Sequence, residues 1–571
     1  MLDSVIEGGM VVDGTGAPRR RADVGLAGGR IVAVGDVDEP ARRRIDADGR
    51  IVAPGFVDVH THLDAQAFWD PALGPSPLHG VTTVIGGNCG FTIAPLSDDA
   101  ADYLMRMLAR VEGMPLASLE QGVPWDWTTT AEYLDRLDGT LAVNAGFKVG
   151  HSALRRVVMG RAANERAATE NELDAMRRLL RDGLAAGALG FSSTWAETHN
   201  DANGDPVPSR FADAHEIVEL ARLCSEFPGT SLEFLPVGTG RFSDEVAELM
   251  IAMSAAAQRP LNWNVISPSA ASMPKWLDKL AVSDEAQKRG AKVVGLTMPV
   301  DMRARFSFLA GFVLDVFDGW APVMALPVSE RIAVFLDPEQ RRRLKAQAEA
   351  TPGMGHLSSW QKLVLVETFI AETKPYAGRR VGDVAAELGK DPFDTLVDIA
   401  IADGLRTTFT REVPPPSDED WAARLQLWRD PRTVIGASDA GAHLDMIAAF
   451  RYATGMIEEA VRGLGLLPLE EAVHLLTGAP ARLYGLRDRG SIREGAHADL
   501  VVFDEDTIGS EPVGTRFDLP GGAGRLYAAA TGIDRVLVNG TEIVRDGADT
   551  GERPGTLLRA GRDTATPTMD L

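Results

Sequence analysis

The stretch Pro54-Gly55-Phe56-Val57-Asp58-Val59-His60-Thr61-His62 sets two imidazoles two residues apart, directly after an apolar run. Successive side chains of a strand alternate between faces, so His60 and His62 emerge on one side. Two neutral imidazoles on one strand end are part of a zinc-type ligand set. A catalytic site of that kind needs further protein ligands and an open position for water. Cys89, in Gly86-Gly87-Asn88-Cys89-Gly90-Phe91, offers a soft third ligand just after the next apolar run, and its glycines permit a tight turn. Asp439, in Gly436-Ala437-Ser438-Asp439-Ala440-Gly441-Ala442-His443, is a carboxylate able to ligate a metal and to carry the proton of an attacking water. His443 is placed to orient or protonate a substrate. Each residue also has a plainer reading: surface histidines, a small buried thiol, a helix N-cap at Asp439, a structural histidine at 443. Their common position at strand ends favours chemistry.

Those ends need strands of one direction in one sheet. Between residues 54 and about 300 short apolar runs at 56–59, 81–85, 141–147, 188–192, 231–236, 261–266 and 292–296 alternate with helical stretches, and 433–437 makes an eighth. The clearest helix has Thr169 and Glu172 as a capping box, Leu173, Met176, Leu180 and Leu184 on one face, and Gly187 as its stop. This alternation predicts an α/β fold, a (β/α)8 TIM barrel over residues 54–484 whose chemistry sits at the C-terminal strand ends. An apolar, largely helical insertion at about 300–430, with Phe306, Phe308, Phe312, Phe317 and Trp320, is read as a lid shaping a pocket. Both chain ends are rich in β-type runs around glycine turns such as Gly28-Gly29. Residues 1–53 and 485–550 are therefore expected to close into one composite β-sandwich, with 551–571 as a tail.

Composition narrows the function. A chain of 571 residues with formal charge -23 does not bind nucleic acid, which requires Lys and Arg to neutralise phosphates. Two cysteines build no disulfide framework. No signal-peptide pattern opens the chain and no run approaches ~20 apolar residues, so the expectation is a cytoplasmic protein without a membrane partner.

Taken together, Phe56 to His62, Gly87-Asn88-Cys89-Gly90, Val149-Gly150-His151-Ser152-Ala153-Leu154-Arg155, Gly187-Ala188-Leu189-Gly190-Phe191-Ser192 and Ser438-Asp439 resemble the D-aminoacylase branch of the amidohydrolase superfamily. Gly490-Ser491-Ile492-Arg493-Glu494-Gly495-Ala496-His497-Ala498-Asp499-Leu500 is similar to the superfamily's return into its sandwich, so the resemblance covers nearly the whole chain. It implies a metal-dependent hydrolase that splits an N-acyl-D-amino acid, a small-molecule substrate, into a carboxylate and an amino acid. It implies one or two zinc ions, or another divalent metal, held by His60, His62 and Cys89. Asp439 would be both ligand and catalytic acid/base. An arginine would bind the substrate carboxylate: Arg210 in Pro208-Ser209-Arg210, with Arg303 and Arg305 as alternatives. His443 and His151 would approach substrate, although His151 and Arg155 also suit a supporting role. A homo-oligomer is in keeping with the superfamily.

Two departures stand out. The family pattern ends its fifth and sixth strands in metal-binding histidines. Here the corresponding runs, Ser231-Leu232-Glu233-Phe234-Leu235-Pro236 and Leu261-Asn262-Trp263-Asn264-Val265-Ile266, contain none. Glu233 with Asn264 would fill part of that gap through oxygen ligands. The family's tyrosine-containing loop is replaced by Ser193-Thr194-Trp195-Ala196-Glu197-Thr198-His199, and Lys148 is either a carbamylated metal bridge or a buried lysine. Two alternatives stay open: hydrolysis of another amide, lactam or ester, and a metal-poor barrel that binds a ligand without turnover.

Overall fold

The structure is a computed structural model that describes residues 1–237, 241–309 and 312–570; the side chain of Phe312 lies outside the described residues. Five strands open the chain: β1 (Leu2–Val11), β2 (Arg20–Ala27), β3 (Arg30–Gly35), β4 (Ala41–Asp46) and β5 (Ile51–Pro54). The predicted turn at Gly28-Gly29 joins β2 to β3, and both glycines have positive φ, 56° and 75°, a region that favours glycine.

The chain then enters two parallel sheets. β6 (Phe56–Asp58), β7 (Val81–Gly86) and β8 (Asn144–Phe147) form the first. The second holds β9 (Val149–Gly150), β10 (Gly190–Thr194), β11 (Ser231–Leu235), β12 (Leu261–Ile266) and β13 (Val293–Thr297). Only Lys148 separates β8 from β9. Helices between strands cover both sheets, so these strands are buried nearly throughout and read as continuous apolar runs. The helix Glu170–Ala185 has the Thr169 and Glu172 capping box, with Leu173, Met176, Leu180 and Leu184 buried.

The insertion follows. Its helices share a small antiparallel sheet that helical spacing did not predict: β14 (Phe306–Ser307), β15 (Leu363–Glu367) and β16 (Thr408–Arg411), ordered β14-β16-β15. Val364, Val366, Thr408 and Thr410 are β-branched and suit a pleated surface. Phe308, Phe317 and Trp320 pack with Phe335, Trp360 and Phe393 into the insertion's own core. These aromatics are therefore core residues and do not line a pocket. After the insertion, β17 (Thr433–Ile435) pairs with β13 as the sixth strand of the second sheet.

The two chain ends meet edge to edge. β18 (Leu500–Phe503) runs antiparallel to β5, matching Leu500 with Pro54 and Phe503 with Ile51. The strands Ile533–Val538 and Thr541–Arg545 extend the same nine-stranded sheet. Alternation along β18 sends Leu500 and Val502 into a core with Ile6, Val24 and Ile31, while Val501 and Phe503 join Phe56 and Val81 on the other face. Each such side chain contributes about 1.5–3 kcal/mol by leaving water, which fixes the register. Residues 551–570, expected as a tail, contain no helix or strand and are nevertheless docked. Leu557 and Leu558 are buried, Leu558 N–H donates to Ala145 O at 2.8 Å, and Ala560 N–H donates to Gly187 O at 2.9 Å.

Candidate metal centre

β6 continues past Asp58 through Val59 into His60, Thr61 and His62, all buried. Thr61 turns away, donating its hydroxyl to Ile85 O at 3.0 Å, so period two puts both imidazoles on the other side with ring centroids 5.3 Å apart. The segment is tied across to the end of β17: Asp439 N–H donates to His60 O at 3.2 Å and His62 N–H to Ala440 O at 2.7 Å. The Ser438 hydroxyl also donates to Asp58, whose other oxygen accepts from His60 N–H at 3.4 Å.

Cys89 enters from the turn after β7. A Cβ on Gly87 would meet the Lys148 backbone at 2.6 Å, and Gly87 has φ +71°, so only glycine fits there. Cys89 itself is left-handed at φ 55° and Asp439 at φ 52°. Non-glycine residues in that region cost on the order of 1–3 kcal/mol and tend to mark functional positions.

Ligand atoms of His60, His62 and Cys89 all lie within 4.8 Å of one another. Asp439 Oδ1 is 3.2 Å from His60 Nε2 and 3.8 Å from His62 Nε2. Glu233 on β11 accepts from Cys89 N–H at 2.7 Å, with its second oxygen 4.0 Å from Cys89 Sγ. Asn264 on β12 brings Nδ2 to 3.2 Å from His60 Nε2. Of the two strand ends that lack histidine, β11 thus brings a carboxylate to the cluster, and β12 an amide whose nitrogen, not its oxygen, faces His60. Arg210 and His151 are not in it. Arg210 Nη1 donates to Glu197 O, His199 O and Asn200 Oδ1, pinning the loop after β10. His151, fully buried, has Nδ1 on Ser193 Oγ at 2.8 Å and Nε2 on Glu216 Oε1 at 2.9 Å, beside the Arg155 to Glu216 ion pair. Both ring nitrogens of His151 are thus engaged within the protein. His443 lies close to the cluster: its N–H donates to Glu112 O at 2.5 Å, and its ring is electrostatically linked to Asp439 and His62.

The donor set fits a metal cation. Cys89 Sγ, Asn264 Nδ2 and Asp439 Oδ1 all lie within 3.6 Å of His60 Nε2, and Asp439 Oδ1 is buried without a hydrogen bond. One ring nitrogen cannot serve all three, whereas a cation can be shared by His60 Nε2, Cys89 Sγ and Asp439 Oδ1. Electrostatics agree. Burial, then the charges of Glu233, Glu112 and Asp439, push the Cys89 thiol well above its ordinary range. Burial and the neighbouring Asp439, Asp64 and Glu233 do the same to Glu112. So much buried acidity calls for positive charge, and a metal converts the thiol to a thiolate ligand. Asp439 behaves differently: burial pushes it up, but His60, His62 and His443 more than offset this and hold it at about 2. It is a carboxylate at neutral pH. Burial lowers Lys148 to about 8 against the pull of Glu233 and Asp64, and its Nζ donates to Asn88 Oδ1 at 2.7 Å.

Two contributors escaped the motif reading. Glu112 caps the C-terminus of the helix Asp98–Val111 and puts Oε1 3.4 Å from His62 Nδ1, where it can orient the ring. No local motif points from Glu112 to His62, because the pairing depends on where this helix ends. His199 packs on Phe91 at 4.9 Å and on the Thr194 hydroxyl at 3.0 Å. Burial, then His443, lowers it to about 3.

The model of the amidohydrolase family matches residues 43–540. D-aminoacylase from Alcaligenes xylosoxydans xylosoxydans is 30% identical over 569 residues, covering 98% of this chain and 97% of its own length. N-acyl-D-glutamate deacylase of the same organism is 30% identical over 573 residues, covering 98% and 96%. Among solved structures, the N-acyl-D-glutamate deacylase of Bordetella bronchiseptica, complexed with zinc and a phosphonate mimic of the tetrahedral intermediate, is similar with a TM-score of 0.66. Its identity is 27%, over 98% of this chain and 100% of that one. The chain belongs to the amidohydrolase family.

Proposed function

We propose that this protein is a metal-dependent hydrolase of N-acyl-D-amino acids, working in the cytoplasm on small-molecule substrates. The observation that carries the reading is the convergence of His60, His62 and Cys89 on one point, with Asp439 Oδ1 against both imidazoles. The two parallel sheets are read as arcs of one (β/α)8 barrel. Support comes from the single residue between β8 and β9 and from the parallel bridge Thr61 to Ala440, which links β6 to β17. The nine-stranded sheet of both chain ends is read as the flanking sandwich.

His60, His62 and Cys89 would hold the metal, with Glu233 and Asp439 as oxygen donors. Imidazole and thiolate together suit zinc. Bound there, zinc supplies a Lewis acid for the amide carbonyl and lowers the pKa of water. Asp439, ionised at neutral pH, accepts the proton of the attacking water. It returns that proton to the amide nitrogen as the C–N bond breaks, releasing a carboxylate and the amino acid. Glu112 holds His62, and Asn264 approaches His60 from β12. Arg210 positions the loop that carries His199, which borders the site. The free, buried Cys89 and Cys224 are in keeping with a reducing compartment.

The test is a panel of N-acetyl-D- and L-amino acids offered to the zinc-loaded protein and to Asp439→Asn. Release of the D-amino acid by wild type, at least 10³-fold slower in a variant that keeps its metal, is expected. Equal turnover by the variant, or no hydrolysis of any N-acyl-amino acid by wild type, contradicts the reading.

A further inference from the structure

A cavity of about 690 Å³ lies between the insertion and the segment that follows the helix Asp98–Val111. Sites for drug-sized ligands span about 300–1,000 Å³, so this one exceeds what an N-acetyl group needs. It adjoins the metal centre: Gly113 lines it, next to Glu112, and a Cβ on Gly113 would come within 3.4 Å of His443 Cα.

The wall carries two unusual features. Leu309 and Phe517 are large apolar side chains left 37% and 46% exposed, and both line this one cavity. Exposed apolar surface gathered in a concave site marks a place for an apolar ligand. The second feature is Arg406. Its guanidinium lies 5.3 Å from the Phe369 ring centroid and 5.8 Å from that of Phe517, and its Nε donates to Asp403 O at 2.9 Å. Other cations on the wall are committed: Arg106 to Asp102, Arg110 to Asp315, and Arg331 to four backbone carbonyls. Arg406 forms no ion pair among the described residues. An aromatic-backed guanidinium beside open apolar surface matches an amphiphilic anion.

We propose that this cavity receives the acyl part of the substrate, that the substrate class is N-acyl amino acids with bulky apolar acyl groups of about decanoyl size, and that Arg406 pairs with the carboxylate of the same molecule. This rests on the deacylase reading and assigns its specificity. Phe369 and Arg406 come from the insertion and Phe517 from the C-terminal segment, so closure of the insertion against that segment creates the pocket.

The experiment compares N-decanoyl-D-alanine with N-acetyl-D-alanine on wild type, Arg406→Gln and Phe517→Ala. Calorimetric binding of the decanoyl compound to Asp439→Asn is measured with and without Arg406→Gln. Expected are a wild-type preference for the decanoyl compound, a fall of at least tenfold in the decanoyl-to-acetyl ratio of kcat/KM in Phe517→Ala, and a fall of at least tenfold in kcat/KM for both compounds, with their ratio unchanged, in Arg406→Gln. The fall would be carried by KM, with metal content unchanged. A wild-type preference for the acetyl compound, an unaltered ratio in Phe517→Ala, or undiminished kcat/KM for both compounds in Arg406→Gln overturns the assignment while leaving the deacylase reading intact. Tight binding to Asp439→Asn that is lost with Arg406→Gln, without any turnover by wild type, upholds the cavity and removes the deacylase reading. Neither binding nor turnover removes both.

Discussion

Glu233 on β11 accepts a hydrogen bond from the backbone N–H of Cys89, 144 residues earlier, at 2.7 Å, and holds its other oxygen 4.0 Å from the Cys89 sulfur. The carboxylate thus both fixes the turn that presents the thiol and stands beside the proposed metal. Glu233→Gln keeps the shape and an acceptor oxygen but removes the charge. Metal affinity should fall by roughly 10–100-fold, measured by competition with a chromogenic chelator, with the thermal midpoint in chelator nearly unchanged. Undiminished affinity would leave Glu233 with only its role in the turn.

Much of this was legible in the sequence, because it rests on local rules. Period two placed His60 and His62 together, and a thiol and a carboxylate just past strand ends proved to share their site. What stayed hidden depends on partners far along the chain. Glu112 meets His62 only because the helix Asp98–Val111 ends there. His151 gave no sign of being enclosed by Ser193 and Glu216, since a histidine at a strand end looks the same whether it faces a cavity or a buried carboxylate. The docking of residues 551–570 rests on backbone hydrogen bonds, which leave no side-chain pattern to read.

Cys89 sits at φ 55°, so substitutions there should invert the usual order of stability. Alanine removes the thiol and keeps the left-handed backbone, whereas glycine also relieves the strain. Cys89→Gly should be more stable than Cys89→Ala by about 1 kcal/mol, read by urea unfolding in chelator, and both should bind metal poorly. An alanine variant more stable than the glycine one would argue against strain at this position.

Glu216 shows how the supporting network responds to pH. Burial pushes its carboxyl up, but the hydrogen bond from His151 and the charges of His151 and Arg155 more than offset this and hold it at about 2. Unfolded, the group titrates near 4.3. A folded pKa below the unfolded one stabilises the protein above the unfolded value, and that contribution is lost as pH falls from about 5 towards 2. The effect is on the order of 3 kcal/mol. Glu216→Gln should lower stability at pH 7 and flatten the acid limb of the stability profile. An acid limb as steep as that of wild type would contradict the assignment.

The most direct test of the metal centre is metal content per chain, by elemental analysis of protein purified without chelator, for wild type, His60→Ala and Cys89→Ala. One or two zinc ions per wild-type chain are predicted, reduced in both variants, with hydrolysis abolished by chelation and restored by added zinc. Absence of stoichiometric metal in wild type, or a metal content indifferent to both substitutions, would contradict the account.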